Sequence, residues 1–242
     1  VLVWLHGGAW QSGAGALDWY SGAQLAARGD IVVVAPNYRL GALGWIAAPG
    51  ETANVGLLDQ EAAIDWIVEH IEALGGDPRN VTVMGQSAGA MSIACMLMRR
   101  PRFQRGILQS ASLGRGFRSL DKAHEIAGIY LRAAGAADLE QARTLPVQAL
   151  LEAQQAAPVL RWLADEGAQR SLFAPVADGA VLPRRPEEAL KAAAAQVDVI
   201  AGYTLDEMAA FPGGGLDPAS QVLGDQIYGA ATRQWAADAT AQ

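Results

Sequence analysis

Five short apolar runs, separated by segments with helical patterns, constrain the fold of this chain most strongly. The runs are rich in valine, isoleucine and leucine and do not alternate strictly with polar residues, which is typical of strands buried on both faces. Strands of this kind alternating with helices predict an α/β fold with a mostly parallel central sheet and helices on both faces. The predicted strands are Val1–Leu5, Ile31–Ala35, Val81–Met84, Gly106–Leu108 and Val197–Ala201.

The segments between the strands predict helices. Apolar residues recur at helical spacing from Leu57 to Leu74, and two glycines follow. Ala88–Met98 is rich in alanine and methionine, which favours a second helix. Residues 112–170 show helical patterns and no strand-like run. A chain of 242 residues is long enough for one large domain, so we expect one domain over 1–242 with a mainly helical insertion at about 112–170.

Charge and residue counts exclude several classes of function. The formal net charge is −7, which argues against nucleic acid or an anionic membrane as the main partner. No run of 18 or more apolar residues is present, so we expect no membrane span. Cys95 is the only cysteine, and the three histidines show no metal-ligand spacing. We therefore expect neither a metal nor a cofactor.

Residues 85–89 read Gly-Gln-Ser-Ala-Gly and lie between a predicted strand and a predicted helix. In that context the G-x-S-x-G pattern predicts a tight turn that exposes Ser87 as a nucleophile. Glycines are needed on both sides because Cβ atoms there would collide within the turn. The alternative is a serine in a glycine-rich turn without a chemical role, since the bare pattern occurs by chance. The flanking strand and helix favour the nucleophile.

A second glycine-rich segment, His-Gly-Gly-Ala-Trp at residues 6–10, follows the first predicted strand. A loop of small residues can direct backbone N–H groups at the negative charge that develops on an ester carbonyl oxygen, which is worth roughly 3–4 kcal/mol per donor. The alternative is a glycine-rich turn with a histidine packed beneath it. We assign His6 that packing role and expect the backbone to carry the function.

In this order, the motifs resemble the type-B carboxylesterases, a family that includes para-nitrobenzyl esterases, cholinesterases and the non-catalytic neuroligins. The resemblance runs nearly the whole length of the chain. The matching blocks are His-Gly-Gly-Ala-Trp at 6–10, Asn-Tyr-Arg-Leu-Gly at 37–41, Asn-Val-Gly-Leu-Leu-Asp-Gln at 54–60, Gly-Gly-Asp-Pro at 75–78, Gly-Gln-Ser-Ala-Gly at 85–89, Ile-Leu-Gln-Ser at 107–110 and Ala-Pro-Val-Ala-Asp-Gly at 174–179.

The resemblance implies an α/β-hydrolase fold and a serine esterase that acts on small-molecule carboxylic esters. It makes Ser87 the nucleophile and the backbone N–H groups of Gly8, Ala9 and Ala88 the oxyanion hole. Family members commonly carry a third glycine where this chain has Ala9, a difference that backbone contacts should tolerate. Gln86 replaces the usual glutamate, which argues against a preference for cationic substrates.

The resemblance also implies that Glu207 is the acid of the catalytic triad. The alternative is that this carboxylate only stabilises the start of a following helix. Ser110 resembles a supporting serine that hydrogen-bonds the acid, and Arg39 and Asp59 resemble a buried ion pair.

In α/β-hydrolases the triad follows the order serine, acid, histidine, yet His6, His70 and His124 all precede Glu207. We therefore expect the catalytic histidine to lie beyond Gln242. We also expect that this chain lacks both ends of the family fold and that it has no activity by itself.

Two other functions fit part of the sequence. The first is a non-catalytic recognition or adhesion domain of the same fold, against which the retained Ser87 argues. The second is a dinucleotide-binding protein, which the βαβ pattern permits. No strand is followed by the G-x-G-x-x-G fingerprint that this function requires.

Overall fold

The computed structural model describes residues 1–167, 171–193, 196–211 and 213–240. Its strands are β1 Leu2–Leu5, β2 Val33–Val34, β3 Thr82–Gln86, β4 Arg105–Gln109, β5 Arg118–Ser119, β6 Val176–Ala177 and β7 Asp198–Gly202. Its α-helices are α1 Ala23–Gly29, α2 Gly41–Trp45, α3 Val55–His70, α4 Ala88–Leu97, α5 Leu120–Ala133, α6 Leu139–Ala142, α7 Val147–Ala153, α8 Ala157–Glu166, α9 Pro186–Ala193, α10 Pro218–Gly224 and α11 Ala230–Thr240. Short 3₁₀ turns occupy Asp18–Tyr20, Ile71–Leu74 and Leu113–Arg115, and a π-helical turn occupies Asp225–Gly229.

The five predicted strands form one parallel sheet in the order β2-β1-β3-β4-β7. Their ends differ from the predicted ends by at most two residues. The predicted α/β architecture with a mostly parallel sheet is confirmed. Because all five strands run the same way, the loops that follow them meet at one edge, which is where ligands bind in open parallel sheets.

One face of the sheet is covered at its centre. Val3, Val83 and Leu108 are at most 1% exposed, and α4 packs against β3 and β4 on this face. Every residue of α4 is buried. This explains why its sequence is apolar all round rather than amphipathic.

The opposite face is covered less completely by the described residues. The row Trp4–Met84–Ile107–Ile200 runs across four strands in register. The first three are partly buried, and Ile200 on the edge strand β7 is 70% exposed.

The predicted long helix over Leu57–Leu74 is present as α3 and the 3₁₀ turn that continues it. It ends at Gly75, whose φ of 84° lies in the left-handed region that favours glycine. The other predicted helix, over Ala88–Met98, is α4. None of the helices in the described residues is long and apolar enough to cross a membrane.

The described part of residues 112–170 is mainly helical and holds α5, α6, α7 and α8. It also contains β5, which pairs with β6 through Arg118 and Val176. This strand was not predicted, because two residues carry no periodic pattern. The Asn54 side chain holds β6 in position. Its amide N–H donates to Val176 O at 2.9 Å, and its amide oxygen accepts from Val176 N–H at 2.8 Å. Residues 168–170 lie outside the described residues, and the insertion as a unit stays a prediction.

The predicted ion pair between Arg39 and Asp59 forms, but its predicted burial is wrong. Arg39 Nε and Nη2 donate to the two carboxylate oxygens at 2.7 and 2.6 Å. The Arg39 side chain is 54% exposed, because the segment after β2 runs along the surface. A solvated pair of this kind contributes about 0–1 kcal/mol to stability.

Candidate active site

Ser87 lies in the turn between β3 and α4, in a backbone conformation that side chains rarely adopt. Its φ is 53° and its ψ is −115°. Such strain costs about 1–3 kcal/mol and persists only where the surroundings enforce it. Here the Ser87 N–H donates to Gln109 O, and Ser87 O accepts from Met91 N–H, both at 2.9 Å. The serine is therefore fixed between the end of β4 and the first turn of α4.

Close backbone contacts require the two glycines of the motif. A Cβ atom on Gly85 would lie 2.6 Å from the carbonyl carbon of Gly89. A Cβ atom on Gly89 would lie 2.0 Å from Leu5 O. Only glycine therefore lets α4 begin this close to β1 and β3, as the sequence pattern predicts.

The loop that follows β1 lies directly against the serine. A Cβ atom on Gly7 would be 3.4 Å from Ser87 Cβ and 2.7 Å from Gln86 Oε1. The next three residues all have positive φ, with 109° at Gly8, 55° at Ala9 and 59° at Trp10. Segments 6–10 and 85–89, predicted from separate motifs, are thus adjacent.

The predicted oxyanion-hole donors are unpartnered. Within the described part of the chain, the backbone N–H groups of Gly8, Ala9 and Ala88 donate to no acceptor. Ala88 is the first residue of α4, and an N–H at that position has no acceptor within its own helix. Free N–H donors beside a nucleophile are what stabilisation of an oxyanion requires.

Backbone strain is concentrated around Ser87. Six non-glycine residues have positive φ in the described part of the chain, and Ala9, Trp10, Ser87 and Ser110 are four of them. All four follow the carboxyl ends of β1, β3 or β4. Strained residues cluster in this way where a site is held in one geometry.

His6 and Tyr38 form a buried support beneath the loop. His6 is fully buried, its Nδ1 lies 2.7 Å from Gly7 O, and its ring stacks on Tyr38 with centroids 4.4 Å apart. The Tyr38 hydroxyl donates to His6 O at 2.7 Å. Burial lowers the pKa of His6, so the imidazole is neutral near pH 7. The sequence did not assign Tyr38 to the site, and its only signal was the block at residues 37–41.

Trp10 is fixed by polar contacts at both its side chain and its backbone. Its indole Nε1 donates to Ser92 Oγ at 3.1 Å, and its carbonyl accepts from Gly41 N–H at 2.6 Å. The loop is therefore held from α4 on one side and from α2 on the other.

Glu207 is half-buried on the loop after β7, and Ser110 follows β4. Glu207 Oε1 accepts from Thr204 N–H at 2.8 Å, and Ser110 N–H donates to Gly202 O at 2.7 Å. The hydrogen bond expected from the Ser110 hydroxyl to Glu207 is absent among the described residues. No described helix begins at Glu207 either, since α10 starts only at Pro218.

The three histidines make no contact with Ser87 among the described hydrogen bonds. His6 lies beneath the loop. His70 stacks on Trp66 at the surface of α3, with centroids 4.7 Å apart. His124 lies on α5. The site thus has a serine beside free N–H donors, with Glu207 on the loop after β7, and none of the three histidines hydrogen-bonds the serine among the described residues.

Other reactive groups lie elsewhere. The described residues hold no cluster of three or more histidine, cysteine, aspartate or glutamate side chains suited to a metal. Cys95 is buried in α4, and burial raises the pKa of its thiol. A surface cavity of about 580 Å³ lies beside Arg99 and Phe103. That position is one helix length, about 15 Å, from Ser87.

The chain is similar to known esterases in sequence. The carboxylesterase family matches residues 1–235. A probable N-octanoylanthranilate hydrolase, AqdA2 of Rhodococcus erythropolis, is 47% identical over 221 residues, which cover 88% of this chain and 47% of that protein. The para-nitrobenzyl esterase of Bacillus subtilis is 38% identical over 215 residues, which cover 86% of this chain and 43% of that enzyme.

Solved structures show the same likeness. A para-nitrobenzyl esterase structure has a TM-score of 0.80 at 38% identity and covers 87% of this chain and 46% of its own. The carboxylesterase EST55 of Geobacillus stearothermophilus has a TM-score of 0.80 at 30% identity, over 98% of this chain and 58% of its own. The predicted α/β-hydrolase fold is confirmed. The chain spans about half the length of the curated relatives it matches.

Proposed function

Because this chain belongs to the carboxylesterase family, we propose that it supplies the nucleophile, oxyanion hole and acid of a serine esterase that hydrolyses carboxylic esters through an acyl-enzyme. The observation that carries the proposal is the strained Ser87 with unpartnered N–H donors beside it. A binding domain has no use for either feature, since both add strain or unsatisfied polar groups.

In the first half of the reaction, a base removes the proton of the Ser87 hydroxyl as Oγ bonds to the ester carbonyl carbon. The carbonyl oxygen becomes an oxyanion, which accepts hydrogen bonds from the N–H groups of Gly8, Ala9 and Ala88. The base then protonates the leaving alcohol as the C–O bond breaks. In the second half, the base deprotonates a water molecule, which attacks the carbonyl carbon of the acyl-enzyme. The bond to Ser87 Oγ then breaks, Oγ is protonated again, and the carboxylic acid leaves.

Glu207 is proposed to orient the base and to stabilise its positive charge. The base itself is expected to be a histidine that follows Gln242 in the full-length gene product. This agrees with the three histidines of the chain, which lie beneath the loop, on α3 and on α5. Residues 1–242 alone are therefore proposed to be inactive.

The substrate is proposed to be a small carboxylic ester. One relative is named for N-octanoylanthranilate, an amide whose aromatic ring carries a carboxylate, so acylated anthranilates belong in the substrate panel together with p-nitrophenyl esters.

The test is hydrolysis of p-nitrophenyl butyrate by the full-length gene product. Ser87→Ala should lower kcat by about 10⁶, and Glu207→Gln by about 10⁴. Ser21→Ala, a change at an exposed serine, is the matched control and should retain full activity. Full activity of the Ser87→Ala variant, with its fold checked by circular dichroism, would remove Ser87 from the mechanism.

A further inference from the structure

A small cavity adjoins the candidate active site. Its walls include Trp10 of the loop after β1 and Met91 in the first turn of α4. Met91 N–H donates to Ser87 O, so one wall of the cavity comes from a residue that lies one helical turn after the nucleophile. Its polar lining is Ser112, Arg115, Arg118 and Ser171. Arg118 already donates to Leu172 O and Ser171 O.

Arg115 has no carboxylate partner among the described residues. Seven other arginines do have one, namely Arg39, Arg79, Arg99, Arg102, Arg143, Arg185 and Arg233. Arg115 Nε is buried without a hydrogen-bond acceptor. A buried donor of a charged group that lacks an acceptor is costly, which makes this guanidinium a candidate for binding an anion.

The position of Arg115 is fixed by its surroundings. Its Nη2 donates to the Tyr228 hydroxyl at 3.3 Å, and its guanidinium carbon lies 5.9 Å from the centroid of that ring. The turn that carries it packs tightly on the π-helical turn, since a Cβ atom on Gly114 would lie 2.0 Å from Gln226 O. A side chain held in this way loses little further entropy when it binds a ligand.

Ser112 supplies a second polar group. Its side chain makes no hydrogen bond to the described residues, so its hydroxyl is free to donate. The cavity measures about 30 Å³, room for one or two water-sized groups. This suits a carboxylate and excludes an acyl chain or an aromatic ring.

We propose that the cavity binds a carboxylate group of the substrate through Arg115, with Ser112 as a second donor, so that the preferred substrates are esters bearing a negative charge. The inference rests on the proposed esterase function of Ser87 and adds a substrate class to it. A planar guanidinium matches the two oxygens of a carboxylate, and such charge-assisted pairs are stronger than neutral hydrogen bonds.

The experiment uses the full-length gene product and three esters: p-nitrophenyl butyrate, which is neutral, mono-p-nitrophenyl glutarate, with the carboxylate on the acyl side, and 4-butyryloxybenzoate, with the carboxylate on the leaving group. Arg115→Gln should lower kcat/KM about 10- to 100-fold for one of the two charged esters. The loss should arise mainly in KM. The neutral ester should change less than twofold, and Arg115→Lys should restore part of the loss.

The matched control is Arg28→Gln, at an exposed arginine on α1. An equal loss on all three esters would mean that Arg115 only supports the fold, and no loss on either charged ester would also overturn the proposal. Should the wild-type protein hydrolyse none of the three, the esterase function fails. Acetate, a carboxylate without a ring, then tests the cavity separately in an NMR titration. Acetate binding that Arg115→Gln abolishes supports the proposal, and absence of acetate binding to the wild type refutes it.

Discussion

Replacing Gly89 with alanine sets two opposing effects against each other. Gly89 is the second residue of α4, where helix propensity alone favours alanine by about 0.8–1.0 kcal/mol. The structure predicts that alanine destabilises the fold, because the added Cβ would lie 2.0 Å from Leu5 O. Backbone atoms of β1 and α4 must then move apart, and overpacking of this kind typically costs about 1–3 kcal/mol.

We therefore expect Gly89→Ala to lower the free energy of unfolding by about 0–2 kcal/mol net. For a chain of 150–250 residues each kcal/mol lowers Tm by about 2–4 °C, and in a longer gene product it lowers Tm by less. The assay is thermal and guanidinium unfolding of the full-length gene product, followed by circular dichroism, with ester hydrolysis measured in parallel. Activity should fall further than stability, because the shift displaces Ser87 from the oxyanion loop and small misplacements can cost about 10² in rate.

Gly202→Ala is the matched control, since a Cβ there meets no atom of the described residues within 4 Å and the backbone φ is ordinary. It should leave Tm nearly unchanged. A Gly89→Ala variant that is more stable than the wild type would refute the steric argument and leave helix propensity as the dominant effect.

Three further predictions address the base, the buried histidine and the open sheet edge. Residues 1–242 expressed alone should not be labelled by a fluorophosphonate, because a serine without a base is a weak nucleophile. The full-length gene product should be labelled. Ser87-dependent labelling of residues 1–242 would contradict this prediction. Burial lowers the pKa of His6 from 6.5, so the unfolded chain binds a proton that the folded chain does not. The free energy of unfolding should therefore fall as pH drops below about 6.5, and His6→Gln should flatten that slope in urea titrations; an unchanged slope would exclude His6 as the cause. Ile200 is 70% exposed on the edge strand β7, so Ile200→Lys should raise the monomer fraction of residues 1–242 in size exclusion; equal association of both forms would point to another surface.

The backbone of the site could be predicted from the sequence because its signals are local. Gly85 and Gly89 flank Ser87 within one turn, and the strand and helix around them are long enough to show their patterns. The oxyanion loop is equally local, because its small residues follow a strand directly.

Other features depend on contacts between distant residues and left no local signal. The Tyr38 hydroxyl meets His6 from a separate loop, and Arg115 meets Tyr228 across 113 residues of sequence. The exposure of Arg39 depends on what covers its segment in three dimensions. None of these contacts produces a period or a motif.

The strained backbone of Ala9, Trp10, Ser87 and Ser110 also has an evolutionary consequence. Each such residue costs about 1–3 kcal/mol, against a total stability of about 5–15 kcal/mol for a typical domain. A descendant released from selection for catalysis would gain stability by drifting to glycine, or to a relaxed turn, at these positions. Mutation would erase the strain gradually, because most of the available changes there relieve it. The strain at all four positions is therefore a feature that we expect a non-catalytic descendant to lose.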